Sequence, residues 1–194
     1  MRIFEQPFQT MSEIVNAVVI ALGKLDTKPF CFYGHSMGAR VAYEVSLMLW
    51  RFQYRLPLHF FASGSSAPCV PYTKDHIHDL PNNDFIVKIG ELNGSPEEVL
   101  ANKEIMDLLL PAMRADFKII ETYCNLAKLN IPIKLSVFAG REDDIEQENI
   151  EKWLDLFKTT TGIHWISGDH YFIDKNKTDV LDKLNMLLAE YRND

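Results

Sequence analysis

The chain has 194 residues, 47% of them hydrophobic and 24% charged, with a formal net charge of −7. That is enough apolar material for one domain with a real core, and acidity dispersed along the chain, with no basic cluster, excludes nucleic acid as an expected partner. No apolar run approaches the ~20 residues of a membrane span and the N-terminus has no basic-then-apolar signal pattern, so the expectation is one soluble globular unit in the cytoplasm, not at a membrane.

Taken in order, Thr10-Met11-Ser12-Glu13 has the spacing of a capping box. Met11, Ile14, Val15, Val18, Leu22 and Leu25 then recur at helical intervals, which predicts an amphipathic helix from about 11 to 25. A short apolar run bounded by Pro29 and Gly34 predicts a buried strand over 29–33, and residues 37–52 read as a helix. Leu56-Pro57-Leu58-His59-Phe60-Phe61-Ala62 is a second buried strand, ending in the loop Ser63-Gly64-Ser65-Ser66-Ala67-Pro68. Strand, helix, strand is a parallel βαβ unit.

From Asp75 to Leu129 the pattern changes to helices broken by Pro81, Gly90, Gly94 and Pro111. This is too long for a simple crossover, and an all-helical insertion between strands is where a lid would be placed. The expected organisation is one domain, with a core of 1–74 and 130–194 and a helical lid of about 75–129. Strand character returns at 131–139 and ends in the acidic turn Gly140-Arg141-Glu142-Asp143-Asp144. A helix follows with Ile150, Trp153, Leu154 and Phe157 on one face, then a strand over 163–166. The loop Ser167-Gly168-Asp169-His170-Tyr171-Phe172 leads to a last helix near 178–191, expected to bury Val180, Leu181, Leu184, Leu187, Leu188 and Tyr191.

Ser36 falls on the turn between the strand at 29–33 and the helix that follows, within Gly34-x-Ser36-x-Gly38. A sharp strand-to-helix turn crowds the backbone, and glycines on both sides leave room while the hydroxyl is pushed out at the top of the sheet. Acidic residues and His170 lie just beyond later parallel strands, on the same rim. The order Ser36, Asp143, His170 is that of an α/β-hydrolase triad. In that reading His170 takes the proton of Ser36, Asp143 fixes the imidazole tautomer, and the backbone N–H of Met37 supplies one oxyanion donor. Asp144 and Glu142 are rival acids, because either reaches a histidine on the rim.

Other residues have plainer readings. His35 is packed or wall-forming, and His59 and His164 are structural within their strands. His76 and His78 have no third ligand at metal spacing, so neither metal nor cofactor is expected. Ser63, Ser65 and Ser66 are loop formers. Cys31, Cys69 and Cys124 are odd in number and far apart, against both a disulfide framework and a zinc site.

Gly34-His35-Ser36-Met37-Gly38-Ala39, the Ser63-Gly64-x-x-Ala67-Pro68 loop, the phrase Glu104-Ile105-Met106-x-Leu108-Leu109-Leu110-Pro111-x-Met113-Arg114-Ala115-Asp116 and the ending Gly168-Asp169-His170-Tyr171-Phe172 together resemble the type II thioesterases of nonribosomal peptide and polyketide synthesis. The resemblance implies an α/β-hydrolase fold, a mostly parallel sheet flanked by helices. It also implies hydrolysis of acyl groups from the phosphopantetheine arm of an acyl or peptidyl carrier protein, with Ser36, Asp143 and His170 as nucleophile, acid and base. Fatty-acid-releasing thioesterases share the architecture.

The resemblance further implies several strands and a glycine-rich, oxyanion-forming loop ahead of the elbow. Here 33 residues precede Gly34, with one helix and no such loop, so the expected sheet lacks its N-terminal part and has the 29–33 strand at an edge. Three functional readings follow: an active serine thioesterase, a non-catalytic remnant that still binds a carrier protein, and an oxygen-ester hydrolase on the same triad.

Overall fold

A computed structural model describes residues 5–24, 28–92, 97–127 and 129–192. Leu25 and Gly94, used above to bound a helix and to break one, lie outside them. Two compact units emerge: residues 1–27 with 68–126, and residues 28–67 with 127–194.

The second unit is built on four parallel strands in the order β1-β2-β3-β4: β1 (Phe32–His35), β2 (His59–Ser63), β3 (Ile131–Gly140) and β4 (Phe157–Ile166). Their register aligns Gly34 with Ala62, Ala62 with Val137 and Val137 with Ile163. Among the described residues β1 pairs with β2 alone, at one edge of the sheet. Helix α2 (Met37–Arg51) links β1 to β2, α6 (Gln147–Glu151) lies between β3 and β4, and α7 (Phe172–Lys175) and α8 (Lys177–Leu188) follow β4.

Why β2 reads as an unbroken apolar run is visible in its neighbours. Successive strand residues face opposite sides of a sheet, and Phe60 and Phe61 are both buried, so both sides are covered. The Phe60 ring packs with Trp153 and Phe157, at centroid distances of 5.7 and 5.6 Å, and Tyr43 of α2 meets the same Trp153 at 5.8 Å. Phe61 belongs to a separate cluster with Phe138, Ile166, Phe172 and Val180. Burying such rings contributes about 2 kcal/mol or more each, which fixes the strand register.

The last third departs from the sequence reading in two places. Phe157 opens β4 and does not share a helix with Ile150; α6 is short and a 3₁₀ turn, Leu154–Leu156, intervenes. Leu181 is 46% exposed, while Leu184, Leu187 and Leu188 pack on the Phe61 cluster.

In the first unit, α1 (Met11–Leu22) begins with the predicted capping box: Thr10 Oγ1 accepts from the Glu13 amide and the Glu13 carboxylate accepts from the Thr10 amide. Helices α3 (Asn82–Glu91), α4 (Glu97–Ala101) and α5 (Lys103–Thr122) enclose a small core of Phe85, Ile89, Met106 and Leu110. Pro111 does not end a helix; α5 runs through it. Its missing N–H would have met the carbonyl of Asp107, an exposed position where water can take that role, while Met106 and Leu110 hold the inner face in the core. Gly90 likewise sits inside α3.

Candidate active site

Three loops at the carboxyl ends of β1, β3 and β4 build the site, all within the sheet unit. Ser36 connects β1 to α2 with φ 53° and ψ −122°, a region that side chains rarely adopt and that marks a strained elbow. Two contacts hold it there: its amide donates to the Ser63 carbonyl at 2.8 Å, and its carbonyl accepts from the Ala39 amide at 3.1 Å. The two flanking glycines are not equivalent. A Cβ on Gly34 would lie 2.4 Å from the Gly38 carbonyl oxygen, whereas one on Gly38 would meet nothing within 4 Å. Only Gly34 is required by the close approach of strand and helix.

His170 Nε2 lies 3.1 Å from Ser36 Oγ, and His170 Nδ1 lies 3.0 Å from Asp143 Oδ2. One hydrogen-bonded line therefore joins three residues that are 27 and 134 positions apart from His170 in sequence. The Asp143 side chain is 4% exposed and that of His170 31%, so the carboxylate is shielded while the imidazole faces an opening. Asp143 Oδ1 also accepts from the Ile145 amide at 3.3 Å, which orients the carboxylate.

The rival acids are engaged elsewhere or solvated. Glu142 accepts a short hydrogen bond from the Gly168 amide and donates its own amide to the Gly168 carbonyl at 3.1 Å, tying the acidic turn to the histidine loop. Asp144 is exposed. Asp169 shapes the loop from within: its carboxylate accepts from the Tyr171 amide and from Lys175 Nζ, which holds its pKa below the usual carboxylate range. Met37, the residue given an oxyanion role, is the first residue of α2, where an amide has no partner inside the helix.

Ser63 is more than a loop former. It ends β2, is fully buried, and its hydroxyl accepts from Tyr33 Oη at 2.9 Å and lies 3.0 Å from His35 Nδ1. No spacing signal links Tyr33, His35 and Ser63, since the contact depends on the parallel register of β1 and β2. Trp153 was equally silent as a site support, yet its Nε1–H donates to the Ser65 carbonyl at 2.8 Å and fixes the 63–67 loop.

His59 and His164 are structural as expected. His59 stacks on Phe61 at 4.1 Å and bonds Ser136 Oγ, and burial pushes its pKa down to about 4. In the helical unit, the expectation that His76 and His78 lack a third ligand is corrected: the buried Glu121 of α5 brings a carboxylate oxygen within 4.8 Å of both. This is the described group best able to hold a cation. Its carboxylate is already occupied, accepting the amides of Ile77 and His78 and a short bond from the His78 ring.

Comparisons with known proteins settle the family. The Thioesterase domain family matches residues 3–188. The chain belongs to the thioesterase family. It is 32% identical over 190 residues to the gramicidin S biosynthesis protein GrsT of Aneurinibacillus migulanus, covering 95% of this chain and 74% of that one. It is 35% identical over 194 residues to a Brevibacillus parabrevis protein named linear gramicidin dehydrogenase LgrE, covering 97% and 73%. Among solved structures, ClbQ from the colibactin NRPS/PKS pathway superposes with a TM-score of 0.87 at 25% identity, covering 94% of this chain and 78% of that one. This thioesterase is thus a thioester hydrolase on an α/β-hydrolase sheet. Among its described residues no helix is long and apolar enough to cross a membrane.

Proposed function

We propose that this thioesterase removes acyl groups from the phosphopantetheine arm of an acyl or peptidyl carrier protein through an acyl-Ser36 intermediate. The observation that carries the reading is the unbroken line Ser36 Oγ, His170 imidazole, Asp143 carboxylate, with both contacts near 3 Å. In this reading Ser36 Oγ attacks the thioester carbonyl while its proton passes to His170 Nε2. The C–S bond then breaks, the thiol leaves with the proton from His170, and water attacks the acyl-serine by the same route in reverse. Asp143 stabilises the imidazolium, and the Met37 amide at the start of α2 donates to the developing oxyanion. Support for a carrier-bound substrate comes from the relatives, one named for gramicidin S biosynthesis and one from an NRPS/PKS pathway. With it goes the expectation of a cytoplasmic enzyme whose helical unit gates substrate entry.

The dehydrogenase name of the second relative finds no counterpart in this chain. Its nine glycines nowhere form the G-x-G-x-x-G that seats a dinucleotide pyrophosphate. An oxygen-ester hydrolase would use the same three residues and differ only in leaving group.

The test is hydrolysis of a short acyl-pantetheine thioester by the chain, beside its Ser36→Ala variant and a matched oxygen ester. The expected result is thioester turnover, lost in the variant, with an acyl adduct on the Ser36 peptide by mass. A clear preference for the oxygen ester, or undiminished turnover by the alanine variant, would overturn the reading.

A further inference from the structure

His35 ends β1 and directly precedes Ser36, yet the reaction outlined above gives it no part. Its ring is half-buried and held on every side that the structure describes. The His170 ring lies 5.1 Å away at an interplanar angle of 49°, and the Phe172 ring meets it edge-on at 5.4 Å. On the third side is the backbone of Gly64, at φ +53°, where a Cβ would stand 2.4 Å from His35 Cε1. A side chain at position 64 would therefore evict this ring.

The ring is also aimed by hydrogen bonds. Tyr33 Oη–H donates to Ser63 Oγ at 2.9 Å, and Ser63 Oγ lies 3.0 Å from His35 Nδ1. Ser63 is fully buried, so its own proton needs an acceptor, and Nδ1 is the acceptor within reach. That direction leaves the ring proton on the buried Nε2. A relay that starts at a phenol and ends at a neutral imidazole thus fixes both the rotation and the tautomer of His35.

We propose that His35 is a positioning residue for thioester hydrolysis: anchored by the Tyr33–Ser63 relay, its neutral ring is the wall that holds the His170 imidazole in line between Ser36 and Asp143. The proposal rests on the triad reading and extends it. Burial pushes the His35 pKa down to about 4, with His170 adding to the effect, while the His170 backbone and the carboxylates of Asp143 and Asp174 pull the other way. The ring therefore stays uncharged at neutral pH, where a second cation beside His170 would oppose the imidazolium that forms in each half-reaction. The same wall keeps water from one face of His170. Removing it opens that face and frees the imidazole to turn out of line with Ser36 and Asp143.

The experiment measures kcat and KM on an acyl-pantetheine thioester for the wild type and the variants His35→Ala, His35→Phe, Ser63→Ala and Ser36→Ala, each checked for folding by circular dichroism. For His35→Ala the expectation is a ~10- to 100-fold loss in kcat per folded molecule with KM little changed. His35→Phe, which retains a ring wall, restores most of the lost kcat. Ser63→Ala, which cuts the relay without touching the triad, falls between them and remains informative if His35→Ala fails to fold. An undiminished kcat per folded molecule in His35→Ala and Ser63→Ala, or a loss that His35→Phe does not restore, overturns the proposal. Activity retained by Ser36→Ala strikes instead at the triad reading beneath it.

Discussion

Among the described residues, two histidines hydrogen-bond a carboxylate through Nδ1, one in each unit, and they differ in what the far side of the imidazole meets. His170 gives Nδ1 to Asp143 and turns Nε2 to a serine hydroxyl 3.1 Å away. His78 gives Nδ1 to Glu121 and turns Nε2 to the exposed carboxylate of Asp79 at 3.2 Å. The carboxylates differ too. Asp143 accepts one backbone amide, whereas Glu121 accepts two, from Ile77 and His78, across 44 and 43 residues of sequence. A pair between two carboxylates has no group to activate and serves as a staple. A pair that ends on a hydroxyl held at a strained elbow is the one to which the proposed reaction gives a proton to move.

The harshest way to break this contrast is to remove the hydroxyl. Ser36→Ala is expected to cut thioester turnover by ~10⁴-fold or more while leaving the thermal midpoint within a few degrees, since the hydroxyl faces the site and not the core. Activity and a melting curve on one preparation check both halves. Asp143→Asn comes next. An asparagine amide facing His170 Nδ1 favours the wrong imidazole tautomer, so kcat should fall by ~10⁴-fold with the fold intact. Asp144→Asn serves as the matched control at an exposed position, and a comparable loss there would move the acid role to the neighbouring residue.

The parts of this picture legible in the sequence were those that depend on neighbours along the chain. The capping box at Thr10, the elbow at Ser36, the run through Phe60 and Phe61 and the turn at 140–144 all announce themselves within a few residues. The hydrogen-bonded line from Ser36 through His170 to Asp143 could be anticipated because each member follows its own strand, and chain order alone limits the choices. The Tyr33–Ser63–His35 relay could not, because it is created by β1 and β2 pairing in parallel. Glu121 was hidden for the same reason, lying 43 residues from the histidine it anchors. Where local signals misled, tertiary burial outweighed them. Pro111 did not break α5, and Phe157 left a helical pattern to open β4, where it packs on Phe60 and Trp153.

The staple should respond in stability and not in chemistry. Glu121→Gln puts an amide N–H where the His78 ring and two backbone amides now find acceptors, leaving a buried donor unpaired at a cost of about 2 kcal/mol. The expected outcome is a lower unfolding midpoint in urea with kcat per folded molecule nearly unchanged. A loss of kcat with no loss of stability would mean that the two pairs are not as different as their geometry makes them.

The smallest effect concerns two histidines whose burial outweighs the carboxylates near them. His59 and His35 both have pKa values lowered to about 4, chiefly by burial, against 6.5 for the free group. The fold therefore favours their neutral forms. Their contribution to stability is complete above about pH 6.5 and is lost as pH falls from there toward 4, where the unfolded chain binds the protons that the folded one refuses. His59→Phe preserves the stack on Phe61 but gives up the bond to Ser136 Oγ, so it should lower the neutral-pH plateau by about 1 kcal/mol. More tellingly, it should reduce the acid-side slope, because one of the three rings whose protonation burial opposes, His35, His59 and His164, is gone. Urea unfolding at a series of pH values between 4 and 7.5 measures that slope, and an undiminished slope in the phenylalanine variant would assign the acid sensitivity to groups other than these buried rings.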